Sequence, residues 1–220
     1  MYTFSGIDSS GKTTQIELLI KYCKENNIDV YKRWSKGRAT PGVLWLKEVF
    51  RKDKGMERAE MLEYREANWN NPKKKFLLLV ASILDLWWFW GIYYRILDRK
   101  HEVFICDRYI WDTYIDFKTE FPEYDVDRWL IWKIAVALAP KPKHSFMFFI
   151  TAEESFRRDN AKGDPDRDEL DRKKQKVEKY MKLMDQNKWD TIVSGMQTRE
   201  EMFEIVKGKI FELVKGKMFE

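Results

Sequence analysis

The run Gly6-Ile7-Asp8-Ser9-Ser10-Gly11-Lys12-Thr13-Thr14 fits the pattern G-x-x-x-x-G-K-[ST] without a mismatch. That spacing suits a loop whose successive backbone N–H groups turn inward around a phosphate, with the following helix adding partial positive charge. Gly6 and Gly11 supply backbone freedom, and Asp8, Ser9, Ser10 and Thr14 complete the cradle. Lys12 would reach the β- and γ-phosphates of a nucleoside triphosphate, and the Thr13 hydroxyl would ligate Mg²⁺. An apolar run precedes the motif and a helical pattern follows it, which a chance glycine-rich turn would lack.

Two further constellations carry chemistry. Cys106-Asp107-Arg108-Tyr109 closes another apolar run. An Asp at the carboxyl end of a strand beside a phosphate loop holds Mg²⁺, usually through water. Arg108 next to it suits a bidentate clamp on an acceptor's phosphate. Alone, the tripeptide reads as a surface ion pair; beside a phosphate loop it reads as part of a site. The second is a charge-dense stretch at about 157–169. A solvated helix–turn–helix has the same composition. In a phosphotransferase, however, cations closing over the triphosphate stabilise charge on the transferred group. Arg158, Lys162 and Arg167 are the candidates for such a lid.

The elements that position these residues follow from hydrophobic periodicity. Strands are expected at residues 2–4, 29–33, 101–106, 145–150 and 191–194. Helices are expected at 12–26, 43–52, 57–70, 73–99, 124–138, 152–161 and 166–187, with Thr198-Arg199-Glu200-Glu201 a capping box opening the last one. Strands alternating with helices argue for an α/β protein with a parallel sheet covered on both faces. No Pro/Gly/Ser-rich linker divides residues 1–220, so a single domain is expected.

Composition adds bounds. Charged residues make up 35% and hydrophobic ones 44%, a globular balance that excludes disordered and fibrous classes. The net charge of +5 fits an anionic small molecule, an acidic membrane surface or weak nucleic-acid contact equally. Cys23 and Cys106 show no metal-like spacing and indicate no disulfide framework, so a reducing cytoplasm is expected. The first residues show no charged n-region or cleavage pattern. The end repeats itself, Val206-Lys207-Gly208-Lys209-Ile210-Phe211-Glu212 recurring as Val214-Lys215-Gly216-Lys217-Met218-Phe219-Glu220. It reads as a tandem duplication extending a basic amphipathic helix, with a peripheral surface anchor as the alternative.

Together the phosphate loop, the Asp107-Arg108-Tyr109 segment and the lid ending in Asp166-Arg167-Asp168-Glu169 resemble the thymidylate kinase family, in order and spacing over nearly the whole chain. The resemblance implies a three-layer P-loop kinase fold with a five-stranded parallel sheet, ATP with Mg²⁺ as donor and a nucleoside monophosphate as acceptor. It also implies a homodimer, and no nucleic-acid polymer as partner. Ser9 stands where some members carry an Arg, so the lid is expected to supply the catalytic cation. Arg33 falls where the family has an Arg that contacts the acceptor, and Asp8, Arg108, Tyr109 and Asp112 are further candidates for acceptor contact. The departures are also there. The family's base-reading Arg falls on Leu86, and the aromatic that stacks on thymine falls on Ser82. The Glu before the loop is Ser5, and two small hydroxyl residues become Asp112-Thr113. Asp116-Phe117 stands where the family shows Tyr-Gln. The donor machinery matches; the thymine reader does not, and dTMP is expected to be a poor acceptor.

The stretch FLLLVASILDLWWFWGIYY, residues 76–94, is nearly long enough to cross a bilayer. A span would place the phosphate loop and Asp107 on opposite sides of the membrane, and would bury Asp85 at a cost of about 2.5–3.5 kcal/mol. A helix walling the acceptor site is expected instead. Leu77, Leu78, Val80, Leu84 and Ile92 would lie against the sheet or a second copy, and Ser82, Asp85 and Phe89 at helical spacing could share the acceptor-facing side. Asp85 would pair with a cation or meet substrate hydroxyl or amine groups. The competing functions are a kinase of a sugar phosphate or amphiphilic glycan intermediate, a non-catalytic ATP-binding module, and a peripheral membrane protein.

Overall fold

The computed structural model describes residues 1–35, 71–163 and 168–216. The helices expected at 43–52 and 57–70, and Arg167, lie outside these residues. Five strands, β1 (Tyr2–Ser5), β2 (Val30–Trp34), β3 (Val103–Asp107), β4 (His144–Phe149) and β5 (Thr191–Ser194), form one parallel sheet in the order β2-β3-β1-β4-β5. β1 and β3 are buried at every position, whereas the edge strand β2 is at best half-buried. That is why the central strands read as unbroken apolar runs rather than alternations.

The helices are α1 (Lys12–Glu25), α2 (Pro72–Trp88), α3 (Tyr94–Lys100), α4 (Ile110–Glu120), α5 (Leu130–Leu138), α6 (Ala152–Lys162), α7 (Leu170–Asp185) and α8 (Arg199–Gly216). On one face of the sheet, Ile16 and Leu19 of α1 meet Val206 and Ile210 of α8 over Phe4, Ile105 and Phe148. The opposite face carries α2, α3 and α5 around Trp90, Tyr94 and Trp132, with α4 and α7 beyond. The three-layer α/β fold expected from the sequence is present. The first copy of the C-terminal repeat belongs to α8, and Val206 and Ile210 are fully buried there.

Local signals set several boundaries. Thr198 and Glu201 form the expected capping box, with Thr198 N–H donating to Glu201 Oε2 at 2.9 Å and Glu201 N–H to Thr198 Oγ1 at 3.2 Å. Asn71 caps α2 ahead of Pro72, accepting from the Lys73 and Lys74 N–H groups at 3.1 and 3.2 Å.

Three features depart from the sequence reading. The expected helix at 73–99 is interrupted by a π-helical turn, Phe89–Tyr93, between α2 and α3. Such a turn admits one extra residue, and Phe89, Trp90 and Tyr94 are all buried around it. The expected helix at 124–138 splits into a 3₁₀ turn (Val126–Arg128) and α5, because Trp129 is extended. Finally, α4 forms over a stretch in which no helix was expected. Its β-branched and aromatic residues have modest helix propensity, so packing holds it. Asp112, Asp116 and Glu120 lie one turn apart and face Tyr180, Lys176 and Arg172 of the antiparallel α7 at 2.7, 3.9 and 3.5 Å.

Residues 72–100 are the one described helical stretch long and apolar enough to cross a membrane. Leu79, Ile83, Leu86, Trp90, Tyr94 and Leu97 of this stretch sit in the core. Leu77, Leu84 and Ile92, expected to be covered, are instead 64%, 43% and 53% exposed on the single chain.

Candidate active site

The loop after β1 is held in a shape only its glycines permit at two points. Gly6 has φ +137°, and a Cβ there would stand 2.3 Å from the Phe148 carbonyl oxygen. Gly11, at φ +97°, turns the chain into α1. Inside this turn the Lys12 ammonium donates to the Gly6 and Ile7 carbonyls, each at 2.7 Å, and to Ser10 Oγ at 3.2 Å. Burial, then the neighbouring Arg108 guanidinium, push this ammonium down to about 8. An anion entering the loop would oppose both effects and favour the charged form.

Arg108 comes to the loop because β3 pairs with β1, Phe4 opposite Asp107. Its N–H bonds the Phe4 carbonyl at 2.9 Å, and its φ of +74° lies in the left-handed region. Non-glycine residues there store roughly 1–3 kcal/mol of strain, a cost that sites tolerate when the geometry is needed. Its guanidinium pairs with Asp8 across the mouth of the loop and faces Asp112 at 3.7 Å. Burial works against ionisation of Asp8, but Arg108 and then Lys12 hold its carboxyl well below the usual carboxylate range.

The helix after β4 reads the tip of the loop with one face. Ser155 Oγ donates to the Asp8 carbonyl at 2.8 Å, and Arg158 donates to the Ser9 carbonyl at 3.3 Å and the Gly195 carbonyl at 2.9 Å. Lys162 Nζ donates to Ser9 Oγ at 2.8 Å, and Ser9 Oγ donates to Asp159. Arg158 also pairs with Glu154 at 2.6 Å, so it straps α6 to the loop. Lys162 is the exposed lid cation at the loop itself.

Asp107 and Thr13 offer hard oxygen donors suited to Mg²⁺. Thr13 is exposed at the start of α1, and Asp107 closes the neighbouring strand. One Asp107 oxygen is 3.1 Å from Lys32 Nζ. The other oxygen and the Thr13 hydroxyl are the groups that would hold Mg²⁺ here. Lys32 competes for that carboxylate. Lys32→Met is therefore expected to lower the Mg²⁺ concentration for half-maximal turnover by about threefold, a modest effect for a partly exposed pair. A Mg²⁺ titration reading an unchanged or higher midpoint would show that Lys32 does not compete.

On the acceptor side the structure separates the sequence candidates. Arg33 lies over the Phe89 ring at 5.3 Å and near Tyr93 at 6.0 Å, facing the π turn. Ser82 is fully buried, its hydroxyl donating back to the Leu78 carbonyl at 2.7 Å. Leu86, where the family's base reader falls, is fully buried among core residues. Asp85 is half-buried on α2. Tyr109 is turned inward, donating its hydroxyl to the Pro140 carbonyl at 2.8 Å and stacking on Tyr94. Asp112 is 1% exposed and accepts from Ser5 Oγ (2.6 Å), Gly6 N–H (3.1 Å), Tyr109 N–H (3.1 Å) and Tyr180 Oη (2.7 Å). Both residues act as struts under the site rather than as acceptor ligands.

Sequence reasoning missed Lys32, Ser155, Asp159, Lys173 and Tyr180. Each looks like an ordinary member of an amphipathic or charged segment. Only the parallel pairing of β2 with β3, and the docking of α6 and α4 on α7, bring them to the site.

A strand running into this loop, with an Asp-Arg pair from the neighbouring strand across it, makes the protein a P-loop kinase in fold. A family model described as thymidylate kinase matches residues 4–206. The chain belongs to the thymidylate kinase family. It is 28% identical over 210 residues to a protein named "Probable thymidylate kinase" from Pyrococcus abyssi (strain GE5 / Orsay), covering 90% of this chain and 89% of that one. Membership implies ATP-dependent kinase chemistry.

Proposed function

We propose that the protein is a Mg²⁺- and ATP-dependent phosphotransferase that converts a nucleoside monophosphate to the diphosphate, with an acceptor pocket that no longer reads thymine. The observation that supports it most is Arg108 facing Lys12 and Asp8 across the phosphate loop. That places a clamp for an acceptor phosphate beside the cradle for the donor. An acceptor phosphate oxygen attacks the γ-phosphorus, the bond to the β–γ bridging oxygen breaks, and ADP leaves with that electron pair. Lys12 neutralises the donor oxygens, Arg108 orients the acceptor, and Lys162, with Arg167 as a further lid cation, meets charge on the transferred group, while Arg158 straps the lid helix to the loop. Thr13 and Asp107 would hold Mg²⁺, which neutralises phosphate charge when bound.

The pocket's specificity follows from what α2 presents. With Leu86 in the core and Ser82 closed on its own helix, a pyrimidine carbonyl finds neither the Arg nor the ring that the family's motif would offer. ADP release measured across a panel of nucleoside monophosphates is expected to give dTMP a kcat/KM at least about tenfold below that of the best acceptor, the scale of one lost polar contact. Efficient dTMP phosphorylation at low concentration would overturn the specificity reading. ATP binding without turnover on any acceptor would overturn the kinase reading. A second reading, an amphiphilic acceptor, is favoured by the exposed Trp88, stacked on Tyr93 at 5.9 Å beside Ile92.

We further propose a cytoplasmic homodimer. Leu77, Leu84, Trp88, Ile92 and Ile96 leave an apolar stripe exposed along α2, the π turn and α3, which suits a second copy. Sedimentation is expected to show a dimer that Ile92→Lys dissociates; a monomeric wild type, or liposome binding in its place, would overturn this.

A further inference from the structure

Lys173 is fully buried on α7, and its ammonium lies 2.5 Å from Asp159 Oδ2 and 2.9 Å from Ser155 Oγ. Buried ion pairs add little net stability compared with apolar packing, so their presence calls for another reason. Here the reason is visible one bond further on. The other Asp159 oxygen takes the Ser9 hydroxyl, and Ser9 holds φ +57° at the loop tip. Ser155, bonded to the same ammonium, donates to the Asp8 carbonyl. Lys173 thus orders two side chains of α6, each of which grips a successive residue of the phosphate loop. Residues 155, 159 and 162 lie on one helical face, so the grip places Lys162 on Ser9 as well.

The charges matter as much as the bonds. A lone carboxylate at Asp159 would stand against a triphosphate. The buried ammonium behind it cancels that charge from the far side of Asp159, so the Lys162 charge at the loop tip is not offset by that carboxylate.

We infer that Asp159 and Lys173 are positioning residues, a buried pair that sets the conformation of Ser9 and thereby delivers Lys162 to the transferred phosphoryl group. This rests on the kinase reading above. It also gives a physical role to a serine at this loop position: a hydroxyl that receives its cation from the lid helix.

The test uses the full-length chain with D159N/K173M, in which both charges leave together so that neither is stranded in the core, and K162A in each background. Thermal unfolding first establishes that the variants are folded. D159N/K173M is expected to lower kcat about tenfold with KM for ATP changed less than about threefold, since uniform binding is kept and transition-state contact is lost. Adding K162A should then cost less than about twofold more, because the residues act as one unit. A kcat within twofold of wild type, or a full additive loss from K162A, would overturn the inference. Hydrogen exchange of residues 5–14 reads the same point without turnover. Faster exchange of the Ser9 region in the double variant supports the inference even if no acceptor is found, and unchanged exchange overturns it. Absence of turnover in the wild type would count against the kinase reading alone.

Discussion

Lys12→Ala is expected to reduce kcat by at least about three orders of magnitude, the scale of removing a cation that acts on a transferring phosphoryl group in a preorganised site. The protein should stay folded. Lys12 is buried, but its partners are the Gly6 and Ile7 carbonyls and Ser10 Oγ rather than a carboxylate, so removal strands no opposite charge. Lys12→Arg should fail nearly as completely. Three acceptors converge on one small ammonium, and a planar guanidinium cannot fill that space. Steady-state ADP release together with thermal unfolding checks both variants. Near-normal turnover by Lys12→Ala would remove the loop from the reaction.

The second large effect is expected at Asp112. Asp112→Leu strands the Ser5 hydroxyl, the Gly6 and Tyr109 N–H groups and the Tyr180 hydroxyl in the interior, and leaves Arg108 without one of its anions. Breaking a buried charged hub costs about 3–5 kcal/mol, to be read as a shift in urea midpoint at unchanged slope. The geometry also unites two departures from the family pattern. Asp112 on α4 sets a carboxylate against Ser5, which donates its hydroxyl across a 2.6 Å hydrogen bond. The exchange Ser5→Glu with Asp112→Ser should therefore be more stable than the sum of its single variants predicts. Strict additivity would show that the two positions are uncoupled.

The chain's local patterns carried much of the fold. The phosphate loop was legible because it depends on consecutive residues and on glycines whose φ values no other residue adopts at low cost. The strands were legible because central parallel strands are apolar without interruption. The capping box at Thr198 and Glu201 was legible for the same local reason. α4 was not, since Ile110, Thr113, Tyr114, Ile115 and Phe117 argue weakly for a helix and its stability comes from α7, more than fifty residues away in the chain. The π turn at Phe89–Tyr93 was hidden too, since one inserted residue leaves an all-apolar run looking unchanged.

The site divides along the same line. The sequence by itself determined that a phosphate-loop motif fills residues 6–14 between a strand and a helix and that Asp107-Arg108 closes a strand beside it, and it raised the expectation that thymine is not read. The tertiary structure decided what the charged segments do. It turned Tyr109 and Asp112 inward as struts, set Lys32 on Asp107, made Arg158 a strap, and placed Lys162 on Ser9 through the buried Asp159–Lys173 pair. The physical reason is that a charge acts through whichever partners surround it. For groups far apart in sequence, those partners are chosen by strand order and helix docking, which no window along the chain contains.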